Sequence, residues 1–494
     1  MTADNNNRMP SQGLYVWQAD NLLAATAALD GYWQLGDSQL ESSQADLAIN
    51  ISSTRIATDT RNIQAGDIFL AIIGDNFDGH DYLDIAIHQG ASAVIVSRPS
   101  EAILDNNIPQ LVVTDTRLAL GQLAAYRRQQ HPDLTVIALT GSSGKTTVKE
   151  MLGSIFSRLA PTLITRGNLN NDFGVPMMML ELTDEHRYAI LELGANHIGE
   201  IAYTATLVHP DVACILNIGT AHLGEFGSRD GICQTKAEIF QTLTDAQTAI
   251  VPDHDDYAEQ LRKIATTYTP QVLGFGSTDV TASGINIHAE GSAFILYLGN
   301  QTGEVNLPLA GEHNVSNALA AAACAYALNI DIQDIITGLN QARPAKGRLN
   351  SQMLGTNRLI DDTYNANPHS VRAAAHVLAA QTGTKIMVLG DIGELGEAAI
   401  SEHHNLGRAI ADTGIDMLLC VGEYASNTVA GANINSANAN VASGIEAHAF
   451  TDKPQLLDFL QPYLQAQQAQ PCTVLFKGSR SMQMESLIDA LVKE

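Results

Sequence analysis

Runs of apolar and β-branched residues alternate along much of the chain with segments that have helical spacing. An apolar run at 134–140 is followed by a glycine turn and by a helical pattern over 145–159. Further buried strands are predicted at 188–192 and 212–217. Strands separated by helices are typical of a parallel sheet with helices on both faces. The pattern therefore predicts an α/β fold.

The residues before Pro132 form a separate mixed region. Short buried strands are predicted at 67–73, 93–97 and 111–114, and a helix is predicted over 116–130. A proline cannot continue a helix, so the pattern predicts a domain boundary where this helix meets Pro132.

A second domain boundary is predicted at 341–347. The region before it departs from the alternation of parallel strands and helices. In that region, short strands broken by glycine at 285–288 and 293–298 are predicted to be antiparallel, ahead of an alanine-rich helix that starts near Asn314. Beyond the boundary, strands recur at 385–389, 417–421 and 474–476, and the stretch 428–444, rich in Ala, Asn and Gly, is predicted to be a loop.

Composition narrows the possible functions. The 494 residues correspond to roughly three domains at about 150 residues each. With 27 basic and 53 acidic residues, the net charge of −26 excludes a general nucleic-acid binder and disfavours an anionic membrane surface. The five cysteines form no C-x-x-C pair, and no apolar run approaches the ~18 residues of a membrane helix. We therefore expect a protein of the reducing cytoplasm, inserted in no membrane.

The strongest chemical motif is a glycine-rich loop that follows the strand at 134–140. It comprises Gly141, Ser142, Ser143, Gly144, Lys145, Thr146 and Thr147, and it is one residue shorter than the common G-x-x-x-x-G-K-[ST] pattern. Small residues let backbone N–H groups approach phosphate oxygens, and the following helix adds the positive end of its dipole. Lys145 would supply charge to the β- and γ-phosphates, and Thr146 a hydroxyl to Mg²⁺. The alternative is an ordinary glycine turn.

Three further residues are candidates for metal binding or catalysis. Glu192 ends a predicted strand, where an acid could hold Mg²⁺, although a solvated strand end is equally compatible. His222 follows the strand at 212–217 and could be a metal ligand, yet a lone histidine is more often structural. On pattern alone, Lys236 is a surface lysine of an amphipathic helix.

Several loops carry groups that could bind anions or polar ligands. The stretches 165–174 and 361–368 are rich in amides and small residues, and Lys477 to Ser481 places two cations beside a turn that follows a strand. Such cations suit a carboxylate or a phosphate. Each stretch is equally compatible with an ordinary loop.

Taken together, these motifs resemble the Mur ligases, the ATP-dependent amide ligases that build the peptidoglycan peptide. The resemblance extends from about residue 50 to the end of the chain. It rests on Asp59-Thr-Arg61, Phe77-Asp-Gly-His80, Gly167-Asn-Leu-Asn-Asn-Asp172, Glu192-Leu-Gly-Ala-Asn-His197, Tyr364-Asn-Ala-Asn367 and Lys477-Gly-Ser-Arg480.

The resemblance implies three domains. An N-terminal domain over 1–131 would bind the UDP part of a nucleotide substrate. A central P-loop ATPase domain with a parallel sheet would span 132–343, and a Rossmann-like domain would span 344–494. The last would close over the nucleotide and help to bind the incoming dipeptide.

The resemblance also assigns a role to each candidate. Lys145 would contact the ATP phosphates, and Thr146, Glu192, His222 and Lys236 would hold metal ions. Lys236 would be carbamylated by CO₂, and Lys145, Lys236 and His222 would be catalytic. For ATP, the whole glycine-rich loop would be joined by Asn317, Arg348 and Asp362. The implied substrate-binding residues are Asp59, Thr60, Arg61, Gly79, His80, Lys477, Ser479 and Arg480.

The implied reaction joins D-Ala-D-Ala to UDP-MurNAc-tripeptide through an acyl phosphate, with ATP and Mg²⁺. It would be the last cytoplasmic step of peptidoglycan precursor synthesis, on which cell shape and division depend, and a monomer would carry it out. One alternative is another Mur-type or folylpolyglutamate-type ligase. A second is a regulatory nucleotide-binding switch.

Overall fold

The computed structural model describes residues 13–40, 49–74, 76–100, 107–220, 223–433, 445–467 and 470–493. It divides into two compact units. The first comprises Met1–Val136, Ala160–Ala195 and Glu200–Pro210, and the second comprises Ile137–Leu159, Asn196–Gly199 and Asp211–Glu494.

The strands are numbered in chain order. They are β1 (Tyr32–Leu35), β2 (Ser38–Leu40), β3 (Ile56–Ala57), β4 (Ile68–Leu70), β5 (Ile73–Gly74), β6 (Phe77–Asp78), β7 (Ala93–Val96), β8 (Gln110–Val112), β9 (Thr135–Thr140), β10 (Thr162–Ile164), β11 (Tyr188–Glu192), β12 (Val212–Ile215), β13 (Thr248–Pro252), β14 (Val272–Gly276), β15 (Val280–His288), β16 (Gly291–Leu298), β17 (Gln301–Leu307), β18 (Asn350–Leu354), β19 (Asn357–Asp362), β20 (Thr384–Gly390), β21 (Met417–Val421), β22 (Glu446–Phe450) and β23 (Cys472–Lys477).

The α-helices are numbered in the same way. They are α1 (Ala19–Ala25), α2 (Leu83–His88), α3 (Thr116–Gln129), α4 (Lys145–Phe156), α5 (Gly174–Met179), α6 (Glu200–Val208), α7 (Leu223–Phe226), α8 (Arg229–Ala237), α9 (Ala258–Ala265), α10 (Glu312–Ala327), α11 (Ile332–Asn340), α12 (Pro368–Ala379), α13 (Ala399–Ala411), α14 (Ala425–Ala432), α15 (Lys453–Ala466) and α16 (Glu485–Val492).

In the first unit, a sheet with the order β2-β1-β8-β7-β4-β3 carries the core. Its strands from β3 to β8 run parallel, and β1 joins β8 in antiparallel fashion. Trp17 and Trp33 are buried among apolar side chains of this sheet and of α3. The indole N–H of Trp33 donates to the carbonyl oxygen of Ala19 (3.1 Å), so its one polar group is satisfied.

The second unit contains two extended sheets. In the first sheet, β9, β12, β13 and β14 are parallel neighbours, continued by β15 and by the antiparallel strands β16 and β17. The second has the order β18-β19-β23-β20-β21-β22 and is parallel except at β18. The carboxyl ends of parallel strands are where α/β proteins bind ligands.

Both faces of the second sheet are buried. Met387 and Leu389 of β20 face one apolar cluster, which α12, α13 and α14 cover, while Ile386 and Val388 face another, which α15 and α16 cover. Successive side chains of a strand point to opposite faces. A fully apolar strand is therefore expected here.

Most predicted elements are present. The helix predicted over 116–130 is α3, which ends at Gln129 before Pro132, and the predicted antiparallel strands are β15 and β16. The loop predicted at 428–444 is wrong for its first residues, because they belong to α14, and residues 434–444 lie outside the described residues.

The error at α14 has a packing cause. Gly407 of α13 and Gly431 of α14 let the two helices pack closely: a Cβ on Gly407 would lie 1.8 Å from the carbonyl oxygen of Thr428, and one on Gly431 would lie 1.9 Å from that of His404. This tertiary contact outweighs the weak helix propensity of a stretch rich in glycine and asparagine.

Candidate active site

The glycine-rich loop connects β9 to α4 at the carboxyl end of β9, as predicted. Gly144 has φ +84°, in the left-handed region, and a Cβ there would lie 2.5 Å from Oδ1 of Asn317. Only glycine fits such a position without strain and collision. The Nζ of Lys145 donates to the carbonyl oxygen of Gly141 (2.8 Å), which holds the lysine side chain back over the loop.

Side chains after β12 fix the shape of this loop. The amide of Asn217 accepts a hydrogen bond from the N–H of Ser143 (2.9 Å) and donates one to the carbonyl oxygen of the same residue (3.0 Å). The hydroxyl of Ser142 accepts from the N–H of Gly219 (2.8 Å). The loop is thus preorganised by the neighbouring parallel strand.

A cavity of about 1160 Å³ opens beside the loop, within the second unit. This large cavity is lined by residues of the loop, of β13 to β15, of the start of α10, and of α12. Its polar or charged wall includes Ser143, Thr147, Asn217, His254, Asp255, Glu312, His313, Asn314, Asn317, Arg348, Asp362, His369, Arg372, His376 and Lys477. Phe275, Ile285, Ile287 and Leu309 form an apolar part of the wall. An anion-binding loop beside a partly apolar cavity of this size suits a nucleotide.

Sequence comparisons agree with this geometry. Models of the Mur ligase family match in three stretches: the family's catalytic domain at 53–128, its middle domain at 139–325 and its glutamate ligase domain at 347–480. The UDP-N-acetylmuramoyl-tripeptide–D-alanyl-D-alanine ligase of Escherichia coli (strain K12) is 42% identical over 448 residues, which are 90% of this chain and 94% of that protein. The chain belongs to the Mur ligase family.

Solved Mur ligase structures have the same architecture. MurF from Acinetobacter baumannii superimposes with a TM-score of 0.88 at 49% identity, over 98% of this chain and all of that chain (100%). MurF from Thermotoga maritima, solved in complex with ADP, gives a TM-score of 0.75 at 26% identity, over 91% and 98% of the two chains. The resemblance and the predicted α/β fold with three domains are confirmed. The boundaries at 131 and 343 stay predictions.

On the wall of the large cavity, the implied ATP contact Asp362 forms a buried ion pair with Lys477, an implied substrate-binding residue. Nζ of Lys477 lies 2.6 Å from Oδ2 of Asp362, and the lysine side chain is 1% exposed. Lys477 also donates to the carbonyl oxygen of Asn365 (3.0 Å). Burial lowers the pKa of Lys477, and the Asp362 carboxylate opposes that effect. Lys477 therefore balances the negative charge of Asp362 without any ligand.

Two other implied ATP contacts lie nearby. The guanidinium of Arg348 lies 4.5 Å from the ring centroid of Tyr364, which is cation–π geometry. The amide of Asn317 donates to Oδ1 of Asn314 (3.1 Å), and Asn314 in turn donates to the carbonyl oxygen of Ala310 (2.8 Å). The first two turns of α10 thus carry a fixed pair of amides at the cavity wall.

Lys236 is buried at the end of α8, with 4% of its surface exposed. Burial, followed by the nearby charge of Lys145, lowers the pKa of Lys236 to about 7. The surface position that the sequence pattern indicates for this lysine is therefore wrong, because the pattern does not show what packs over α8. A substantial neutral fraction makes this amine nucleophilic near neutral pH.

The four metal-ligand candidates of the Mur ligase resemblance are distributed over both units and one undescribed position. Thr146 and Lys236 belong to the second unit and Glu192 to the first, while His222 lies outside the described residues. Among the described residues, His, Cys, Asp and Glu side chains form no group of three able to hold a metal ion. Glu192 is buried and accepts a hydrogen bond from the amide of Asn170 (2.8 Å).

The candidates for the UDP substrate lie in the first unit, in two short turns. Asp59 caps the turn that begins at Thr60, and its carboxylate pairs with Arg61 (2.6 Å), whose side chain is 86% exposed. The hydrogen bonds from Arg61 lower the pKa of Asp59. Thr60 is half-buried within that turn.

The second turn contains Gly79 and His80. A Cβ on Gly79 would lie 2.7 Å from the backbone of Ala71 and Ile72, so only glycine fits. His80 bonds through Nδ1 to Asp78 (2.6 Å) and accepts through Nε2 from the N–H of Ser97 (3.0 Å). These two bonds hold the imidazole in one orientation. Burial alone would raise the pKa of Asp78, but hydrogen bonds from Arg98 and His80 lower it to about 2.

The remaining candidates, Ser479 and Arg480, follow β23. The hydroxyl of Ser479 accepts from the N–H of Gly393 (2.6 Å), and its own N–H donates to the carbonyl oxygen of Asp391 (3.0 Å). Arg480 pairs with Glu485 (2.7 Å), but its side chain is 61% exposed. Arg480 is thus accessible to a ligand.

Sequence reasoning missed several residues of the cavity. Asn217 is the last residue of the strand predicted at 212–217, and no local pattern indicates that its side chain contacts the glycine-rich loop. His313, next to the predicted Asn314, also lines the cavity, where burial and then the charges of His369 and Lys477 lower its pKa to about 4.

No helix among the described residues is both long and apolar enough to cross a membrane.

Proposed function

We propose that this Mur ligase joins D-Ala-D-Ala to UDP-MurNAc-tripeptide at the expense of ATP, through an acyl phosphate. The observation that carries the proposal is the glycine-rich loop, fixed by Asn217, at the edge of the large cavity. It is supported by relatives such as the Escherichia coli protein, which bear the name of this ligase.

The residues present fit a nucleoside triphosphate. Gly144 has a left-handed backbone, and a Cβ there would meet the side chain of Asn317, so glycine is favoured, as is expected where backbone N–H groups approach phosphate. Lys145 would bind the β- and γ-phosphates, and Asn317, Arg348 and Asp362 would contact the nucleoside and its phosphates.

The donor set also fits Mg²⁺, which prefers oxygen ligands. The Thr146 hydroxyl, the Glu192 carboxylate and a carbamate on Lys236 would supply oxygen, and His222 would supply an imidazole. A bound divalent cation would neutralise charge that develops on the transferred phosphoryl group.

The carbamate on Lys236 is supported by the chemistry of its environment. The amine is buried and forms no ion pair with any carboxylate among the described residues. Reaction of the neutral amine with CO₂ forms an N–C bond and releases one proton, which gives an anionic oxygen ligand in place of a cation. Such a group suits a metal site better than an ammonium does.

The remaining residues would position the two substrates. Asp59, Thr60, Arg61, Gly79 and His80 would bind the UDP end of the tripeptide substrate. Lys477, Ser479 and Arg480 would bind D-Ala-D-Ala.

The proposed reaction has two chemical steps. The tripeptide carboxylate takes the γ-phosphoryl group and ADP leaves. The dipeptide amine then attacks the acyl carbon, loses a proton and displaces phosphate. Lys145 offsets the repulsion between the reacting anions. We place this reaction in the cytoplasm and expect a monomer.

The test is an assay of the purified protein for phosphate release and for the amide product by mass spectrometry. Both should require ATP, UDP-MurNAc-tripeptide and D-Ala-D-Ala together. Phosphate release that is equal without the two substrates would contradict the proposal. If glutamate is the preferred acceptor, the chain is instead another Mur-type or folylpolyglutamate-type ligase.

A further inference from the structure

Helix α12 has two faces with different neighbours. Val371, Ala374, Ala375 and Leu378 fill the apolar cluster against the second sheet, and each is at most 2% exposed. His369, Arg372, Ala373 and His376 line the large cavity. Their spacing of three and four residues places them on one face of the helix. None of these four residues belongs to the roles assigned above.

The start of α12 contacts the glycine-rich loop. The amide of Asn367 donates to the carbonyl oxygen of Ser142 (3.4 Å), and Nδ1 of His369 lies 3.5 Å from Oγ of Ser143. Arg372 follows His369 by three residues, about 4.5 Å along the helix axis. Its side chain therefore begins within one helical turn of the loop.

Arg372 differs from the other strong cations of the cavity wall. Lys477 is neutralised by Asp362, and Arg348 stacks on Tyr364. Among the residues that the structure describes, no side chain or carbonyl forms a hydrogen bond or ion pair with the Arg372 guanidinium. Burial and then the charge of Arg372 lower the pKa of His369. This imidazole therefore does not add a full positive charge beside Arg372 at neutral pH. In a chain of net charge −26, an unpaired arginine at such a wall is available to an anionic ligand.

We propose that Arg372 is a phosphate-binding residue of this site, whose guanidinium pairs with the phosphates of the nucleotide held by the glycine-rich loop. The inference rests on the proposed function and adds a contact from α12, the helix that packs against the second sheet. Arginine suits the role because its planar guanidinium can donate two parallel hydrogen bonds to phosphate oxygens. His369 lies between Arg372 and the loop and keeps that stretch of wall polar.

The test compares ligands with and without phosphates. Calorimetric titration of the full-length wild type, Arg372→Ala and Arg372→Gln with ADP and with adenosine measures the two affinities. A hydrogen bond to a charged group contributes about 1.5–3 kcal/mol, so both variants should raise the Kd for ADP by about 10- to 150-fold. Their Kd for adenosine should stay unchanged, and Arg372→Lys should recover part of the loss.

The matched control is Arg408→Ala, which removes an exposed arginine from α13. It should leave the Kd for ADP unchanged, and the ADP penalty of Arg372→Ala should shrink in high salt. An unchanged Kd for ADP in the Arg372 variants would overturn the proposal. So would an equal loss for adenosine, because the arginine would then only shape the wall. The thermal midpoint of each apo variant shows whether it is folded, and Arg372→Gln keeps the test valid if the alanine variant is unstable.

The proposed function is judged separately, by formation of the amide product with the wild type. A wild type that binds ADP but forms no amide contradicts the ligase reaction and leaves the ADP-to-adenosine comparison to decide the role of Arg372. A wild type that forms the amide, with Arg372 variants unchanged in ADP affinity, contradicts only the role of Arg372.

Discussion

The side chain of Asn217 bonds to both backbone polar groups of Ser143, accepting from its N–H at 2.9 Å and donating to its carbonyl oxygen at 3.0 Å. One amide therefore holds a peptide segment of the glycine-rich loop from both sides. The same side chain lines the large cavity, so one residue contributes both to the loop geometry and to the cavity wall.

We expect Asn217→Ala to weaken ADP binding because it removes both bonds to the loop. At about 0.5–1.5 kcal/mol for each hydrogen bond, the Kd should rise by about 5- to 150-fold. Asn217→Asp keeps the acceptor and loses the donor, so it should fall between wild type and alanine. Calorimetry with ADP measures the effect, and equal affinities for all three proteins would show that the loop is held by other contacts.

Gly144→Ala should abolish tight nucleotide binding, because its Cβ would collide with Asn317 Oδ1 at 2.5 Å. Gly355→Ala is the matched control: Gly355 also has a positive φ (+60°), but nothing lies within 4 Å of its Cβ position. Left-handed strain of about 1–2 kcal/mol should destabilise both variants. Only Gly144→Ala should raise the Kd for ADP, by at least about tenfold. Equal Kd values for the two variants would rule out the collision as the cause.

Breaking the buried pair between Lys477 and Asp362 should strongly destabilise the second unit. Removal of one partner of such a pair typically costs about 3–5 kcal/mol, because the other charge stays buried. Lys477→Met and Asp362→Asn should each lower the free energy of unfolding by that order, measured by urea denaturation. The double variant should lose less than the sum of the two, and strict additivity would show that the two charges act independently.

Lys236→Ala should lose ligase activity, and short carboxylic acids should restore part of it by supplying the missing oxygen ligand. Bicarbonate should not restore it, because no amine remains to react. Lys263→Ala, which removes an exposed lysine at the end of α9, is the control and should stay fully active in the same phosphate-release assay. Near-normal turnover of Lys236→Ala would refute the carbamate.

His313 should make stability depend on pH in a defined direction. Burial, together with His369 and Lys477, lowers its pKa from 6.5 to about 4. Between those values the unfolded chain binds a proton that the folded protein does not, so lowering the pH destabilises the fold. The free energy of unfolding of wild type relative to His313→Gln should therefore decrease as pH falls from 7.5 towards 4. An advantage that grows on acidification would contradict this sign.

Local sequence patterns predict many of the parallel strands, such as β9, β11 and β12, and the glycine-rich loop. The loop is recognisable because β9, the turn at Gly141 and the start of α4 follow one another directly in the chain. The antiparallel hairpin of β15 and β16 is predictable for the same reason, since glycine and apolar runs mark it locally.

Residues whose role depends on distant partners could not be identified in this way. Asn217 acts on a residue 74 positions earlier, and no local pattern encodes that contact. Lys236 has the sequence pattern of a surface lysine, yet only 4% of its surface is exposed in the fold. The cavity-facing side of α12, which carries Arg372, can be recognised only once the opposite side of this helix is known to fill the apolar core.

The two faces of α12 also bear on how resistance to an inhibitor of this site could arise. Position 376 can vary without disturbing the buried face at Val371 and Leu378, whereas His369 contacts the glycine-rich loop and Arg372 is proposed to bind phosphate. A compound that gains its affinity from the side chain of His376 would therefore select escape mutants at little cost to folding. A compound anchored on Gly144 and Asn217 would leave few substitutions that keep the glycine-rich loop intact.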